Sequence, residues 1–227
     1  MTRRRHTALF GLLTAVLSTA PVQAQRPPVE VVEEAVTLCR ETQLKPAAER
    51  AALWDRGAKL ARTAIAADAA NAAAHFALFC NLGMQAQHAG LSLWALAMLP
   101  RMRFEIDQAL LLSPDYSEAL AGKGAFLFFL PRLLGGDPEE GERLLRAGLA
   151  RDESNALARL ILAKVLVWRG RRAEGLAEAE HAWMLLTAAG RDAEAARARA
   201  FMGELEALDD TLAHQDTDDE GDTDSRS

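Results

Sequence analysis

Apolar residues recur at helical spacing along most of the chain, and at three places the same short polar interruption cuts the pattern. Residues Ala64–Ala74 read AIAADAANAAA, Ala109–Ala119 read ALLLSPDYSEA and Gly148–Ala158 read GLARDESNALA. Each stretch leaves a small residue on a helical segment, enters a polar turn, and resumes at a small residue ten positions later. Asp68, Ser113 and Asp152 share one register of the turn, and Asn71, Tyr116 and Asn155 share another. Ala69, Pro114 and Glu153 stand between them. The pattern predicts a helix that ends, a tight reversal, and a second helix packing back through alanine or glycine. A further pair is predicted over Arg172 to Ala188 and Asp192 to Leu208, with Gly190 between. An opening hairpin is predicted over Val29 to Leu44 and Ala47 to Ala67, begun by Pro27-Pro28.

These turns resemble the hand-over between successive units of the tetratricopeptide repeat. Gly124 and Ala163 match the small-residue position of the repeat's first helix, and Gly141 and Gly175 that of its second. Leu145 and Ala182 fall where the family places packing residues. The resemblance implies an all-α solenoid of about four helical hairpins, enough units for a continuous core. The repeats are elongated: the family period is about 34 residues, whereas the turns here recur after 45 and then 39. Aligned backward from each turn, both insertions fall between the two helices of a hairpin. One lies around Met84 to Met102 and the other around Leu130 to Gly136.

Both insertions are apolar and end alike, in Leu99-Pro100-Arg101 and Leu130-Pro131-Arg132. Proline ends helices, so each insertion is expected to be an overlong first helix that breaks at its proline. Gly135-Gly136 then permits a tight reversal. Asp137-Pro138-Glu139-Glu140 is a helix start in which Asp137 caps, Pro138 fits the first turn and Glu140 can complete a capping box.

The stretch from ALLLSPDY to FFLPRLLGGDPEEG resembles the tetratricopeptide T-component proteins of TRAP transporters, whose repeats are overlong and share the LP…GGD junction. Pro131, Gly135, Gly136 and Asp137 carry that motif here. The resemblance implies a periplasmic, non-enzymatic protein that partners a solute-binding protein and offers an apolar cavity to hydrophobic or carboxylate ligands. Trp94, Phe126, Phe128 and Phe129 are then either core or cavity lining, with Arg101 and Arg132 placed to meet a carboxylate.

The termini set the compartment. Arg3, Arg4 and Arg5, an apolar run from Ala8 to Ala20 and the site Val22-Gln23-Ala24 read as a secretory signal over residues 1–24, with cleavage before Gln25. No cysteine follows that site to take a lipid anchor. Domain 25–208 is the expected helical body. Residues 209–227 carry eight acids and one arginine, a segment too polar to bury itself and read as a disordered tail. Without the leader's three arginines the chain holds 23 basic against 32 acidic residues, so it offers no basic footprint for nucleic acid. After export Cys39 and Cys80 either form one disulfide or stay buried thiols.

Chemistry is sparse. There is no Gly-rich phosphate loop, no G-x-S-x-G, no H-E-x-x-H and no C-x-x-C. His75, His88, His181 and His214 lie at no metal-ligand spacing. Asp216, Asp218, Glu220 and Gly221 imitate the opening of a calcium loop, but Ser227 stands where the bidentate Glu belongs. The expected class is a binding protein with no enzymatic activity, cofactor or metal and no membrane span after leader removal, able to form homo-oligomers. The other reading open at this point is a general envelope scaffold with no small ligand.

Overall fold

The computed structural model describes residues 29–42, 45–90 and 92–205. The expected leader and acidic tail lie outside the described residues. Eight helices run in order: α1 (Val29–Glu41), α2 (Ala47–Ala67), α3 (Ala72–Ala89), α4 (Leu93–Leu112), α5 (Ser117–Phe129), α6 (Pro138–Arg151), α7 (Ala156–Trp168) and α8 (Arg172–Ala188). A further helix, α9, covers residues 192–205. Each odd helix pairs with the even one that follows it, and the hairpins stack in chain order. The predicted all-α solenoid of tetratricopeptide-like hairpins is the observed fold.

The three aligned turns share one hydrogen-bond scheme. The N–H groups of Asp68, Ser113 and Asp152 donate to the carbonyls of Ala64, Ala109 and Gly148, closing the outgoing helix. Asn71 and Asn155 then accept from the N–H groups of Ala74 and Ala158, each at 3.0 Å, which opens the incoming helix. Tyr116 holds the same register without a side-chain cap. Its ring instead packs edge-on against Phe76 with centroids 5.2 Å apart. Ala74, Ala119 and Ala158, the small residues after each turn, are all buried.

Close helix contact explains the repeat glycines. A Cβ on Gly124 would stand 2.7 Å from the Gly141 carbonyl, and one on Gly141 would stand 2.8 Å from the Gly124 carbonyl. Backbone therefore meets backbone between α5 and α6. The core has two main bodies. One lies in the first two hairpins around Leu78, Leu82, Met102 and Ile106, and the other joins the third and fourth through Leu145, Leu149, Leu162 and Leu166. Across the α4–α5 junction the contact is thinner. It rests on Phe79 against Phe126 (5.8 Å), Phe76 against Tyr116, and the Lys123–Asp107 ion pair at 2.7 Å. Arg40 of α1 also reaches Glu118 of α5.

Cys39 and Cys80 form a disulfide, with Cα atoms 5.9 Å apart, that ties α1 to α3. Beside it the Asn81 side-chain amide donates to the carbonyls of Ala35 and Ala77, each at 2.8 Å.

Two local expectations fail. Pro100 ends no helix: it sits inside α4, and the chain turns ten residues earlier at Gly90, whose φ is 61°. Ser92 caps the new start by accepting from the Ala95 N–H at 3.2 Å. A proline here removes the N–H that would bond the Leu96 carbonyl. Both residues stand on the solvent side, where water can take that carbonyl. The first insertion therefore lengthens both α3 and α4 instead of only the first helix of the hairpin. The second Leu-Pro-Arg behaves as expected, since α5 stops at Phe129 and Pro131 opens a 3-10 turn over Arg132–Leu134. The capping box is also incomplete. Asp137 accepts from the Glu140 N–H at 3.0 Å, but its own N–H goes to the Leu127 carbonyl and the Glu140 carboxylate pairs with Arg143.

Candidate functional site

The corner between α5 and α6 is built from its prolines and glycines outward. The Pro131 carbonyl accepts from the N–H groups of Leu134 (2.9 Å) and Gly136 (3.0 Å), which folds the 3-10 turn back on itself. Gly135 has φ 84°, a left-handed conformation, and a Cβ on Gly136 would overlap the Leu130 carbonyl. Arg103 of α4 donates from Nη2 to the Gly135 carbonyl at 2.9 Å, pinning this corner to the preceding hairpin.

This fold presents an aromatic corner. Phe128 packs edge-on to Phe129 (5.1 Å) and to Trp168 (5.3 Å), the last residue of α7. Phe129 and Trp168 are exposed at 60% and 70%, and Leu133 of the 3-10 turn is almost wholly exposed. Arg132 lies at the same corner and pairs with Glu139 at 3.0 Å. Phe126, three residues from Phe129, faces elsewhere and fills the junction against Phe79. Trp94 is half-exposed in the first turn of α4. Arg101 is engaged 2.5 Å from Glu105 Oε1 and lies over the Phe104 ring at 5.6 Å. The structure thus joins Phe128 with Phe129, while Arg101 and Arg132 are engaged with different carboxylates.

An open cleft of about 140 Å³ lies between α4 and α5, lined by Arg103, Ile106, Asp107, Lys123, Phe126 and Leu127. Pockets that enclose small molecules usually hold about 300–1,000 Å³. Of the residues expected to line a ligand cavity, Phe126 is the one this cleft uses.

Two charged clusters were not foreseen. Glu105 is fully buried, with Oε2 2.6 Å from His75 Nδ1 and Oε1 facing Arg101. His75 Nε2 lies 3.1 Å from the Ala69 carbonyl, so the ring bridges the α2–α3 turn to α4. The available signal was a lone Glu one turn after Arg101 in an otherwise apolar helix. The second cluster centres on Glu142, which meets Arg146 (2.9 Å), Arg169 (3.3 Å) and Arg171 (2.7 Å). Burial alone would raise the Glu142 carboxyl, but hydrogen bonds from Arg146 and Arg171 outweigh it and hold it below the ordinary range. Hydrogen bonding from Arg171 lowers Glu174 in the same way. Among the described residues no group of three or more His, Cys, Asp or Glu side chains is arranged to hold a metal ion.

No protein-family model matches the chain, and no curated protein matches it. Solved structures do. The structure titled as TTC0263, a thermophilic TPR protein from Thermus thermophilus, is similar with a TM-score of 0.57 and 19% identity, over 78% of this chain and 81% of that one. Two crystal structures of MamA superpose with TM-scores of 0.41 and 0.42 at 13% and 12% identity. The first spans 70% of this chain and 81% of that one, and the second spans 78% and 93%. The similarity to TTC0263 establishes the class as a tetratricopeptide-like helical-repeat protein.

Proposed function

We propose that the chain is a periplasmic binding scaffold and an accessory component of TRAP-type solute uptake, which docks a solute-binding protein and performs no catalysis. The observation that carries the docking reading is the aromatic corner. Phe129, Trp168 and Leu133 are large apolar side chains left exposed together on a corner rigidified by Pro131, Gly135 and Gly136. Such clusters, bordered by arginine, are what interface anchors look like. The LP…GGD junction that builds the corner is also the motif behind the uptake reading. The Cys39–Cys80 disulfide suits an oxidising compartment and so supports export.

Titration calorimetry with the solute-binding protein encoded beside a TRAP membrane subunit tests this. Phe129→Ala and Trp168→Ala are each expected to weaken binding by about tenfold or more. Unchanged affinity in both variants removes the corner from the interface, and no binding by the parent chain removes the uptake role. The modest size of the α4–α5 cleft favours a second reading, a general envelope scaffold that holds proteins and no small ligand. Native mass spectrometry separates the two. A copurified apolar or carboxylate molecule, lost on substitution of Trp94, Arg101, Phe126, Phe128 or Arg132, supports the ligand-binding form.

A further inference from the structure

Helix α4 is apolar all round, and only half of it is covered. Its inner side packs on α3 through Ala95, Met102, Ile106 and Ala109. On the opposite side Leu93, Ala97, Pro100, Phe104, Gln108 and Leu111 follow one another at steps of three and four residues. These six positions form a single stripe about 27 Å long. Leu93, Phe104 and Leu111 are exposed at 87%, 51% and 72%, and Ala97 and Pro100 are exposed with them. Neither α2 nor α6 packs along α4. Arg103 meets the α5–α6 corner at Gly135, so the ten residues of α4 before it run past that corner as a free arm. A helix that is hydrophobic on every side is normally enclosed, so the outer stripe calls for a cover.

We propose that this stripe is a contact face for the surface of an anionic phospholipid bilayer. Charge selects that occupant. The sequence holds no carboxylate between Asp68 and Glu105, and Glu105 is buried. The arginines on the arm's flank are Arg101 and Arg103, and Arg103 gives an N–H to the neutral Gly135 carbonyl, so its charge remains available. Asp107, the next acid along α4, is held by Lys123. Leucine, phenylalanine and tryptophan on a helix bordered by arginine match a surface that is apolar below and negative at its headgroups. Trp94, half-exposed at the end of the arm, is the residue type that settles at that boundary.

A second copy of the chain fits less well. An antiparallel pairing that sets Leu93 against Leu111 centres on Met102. It would bring Arg101 and Arg103 of both copies together with no exposed carboxylate between them. A protein partner would want pockets for its anchors, and the stripe is a ridge. No helix among the described residues is long and apolar enough to cross a membrane, so the contact is with the surface. This inference does not depend on the uptake reading.

Cosedimentation of the purified protein with vesicles tests it, using phosphatidylcholine mixed with phosphatidylglycerol against phosphatidylcholine alone. Binding is expected to the mixed vesicles and to weaken with salt. The double variant Leu93→Ser/Phe104→Ser should bind about tenfold more weakly. The control double variant Leu157→Ser/Met184→Ser, at exposed apolar residues away from α4, should bind as the parent does. Brominated-lipid quenching of tryptophan fluorescence, lost in Trp94→Phe, supplies a readout that leaves the stripe intact. The proposal is overturned if the parent ignores mixed vesicles, if Leu93→Ser/Phe104→Ser binds them unchanged, or if Trp94 is not quenched. It is equally overturned if light scattering shows a dimer that the stripe variant splits while vesicles bind neither form.

Discussion

Glu105 shows what one residue can do inside an alanine-rich helical stack. Its carboxylate is wholly buried and is shared by His75 and Arg101. Replacing it with alanine leaves a buried imidazole and an arginine without their acceptor, so Glu105→Ala should cost about 3–5 kcal/mol in urea denaturation. Glu105→Gln retains an oxygen near His75 and should cost less. Equal losses in the two variants would show that the pair acts only through packing. The glycine pair between α5 and α6 works by absence. A Cβ on either residue meets a carbonyl at under 3 Å, so Gly124→Ala and Gly141→Ala should each destabilise by about 1–3 kcal/mol. A helix-propensity scale predicts the opposite sign, since alanine favours helix. The denaturation midpoints therefore decide between contact and propensity.

Among elements, α1 depends most on a covalent tie. The disulfide closes a loop with a sequence separation of 41, which should stabilise the fold by about 4 kcal/mol. Reducing agent, or Cys39→Ser with Cys80→Ser, should expose the α1 amides to hydrogen exchange before those of α5 to α8. Uniform exchange would place the disulfide's effect on the whole chain. The α6–α7–α8 corner depends on charge. Glu142 is held below the ordinary carboxylate range by Arg146 and Arg171, so its contribution is present above the unfolded pKa of about 4.3 and is lost as pH falls through the folded value. Glu142→Gln should lower stability at neutral pH, and its curve should converge with the parent's in acid. Parallel curves would show that the arginines do not depend on the charge.

For the whole molecule the thin α4–α5 junction matters most. Helical-repeat stacks derive their cooperativity from interfaces between neighbouring units. Here the first two hairpins share one core, the next two share another, and a few aromatic and ionic contacts join them. Removing the shared rings with Phe126→Ala and Tyr116→Ala should split thermal unfolding into two transitions. A single sharp transition in that variant would mean that the Arg40–Glu118 and Lys123–Asp107 pairs suffice.

The sequence by itself determined the helices, the three aligned turns and the small residues after them. Each depends on neighbours within a few positions: Asn71 and Asn155 as caps, Asp137-Pro138 as a helix start, Pro131 as a stop. Local chemistry misled where tertiary surroundings overruled it. Pro100 reads as a terminator, yet Ser92 starts a helix upstream and water tolerates the freed carbonyl, so α4 runs through it. Glu140 fits a capping box, but the Asp137 N–H had already found Leu127. Only the folded structure could decide whether Cys39 meets Cys80, because that depends on how α1 lies against α3. The meeting of Phe128 with Trp168, the burial of Glu105 and the bare side of α4 belong to the same class. All of these are contacts between residues far apart in the chain, or the absence of such contacts, and packing geometry alone sets them.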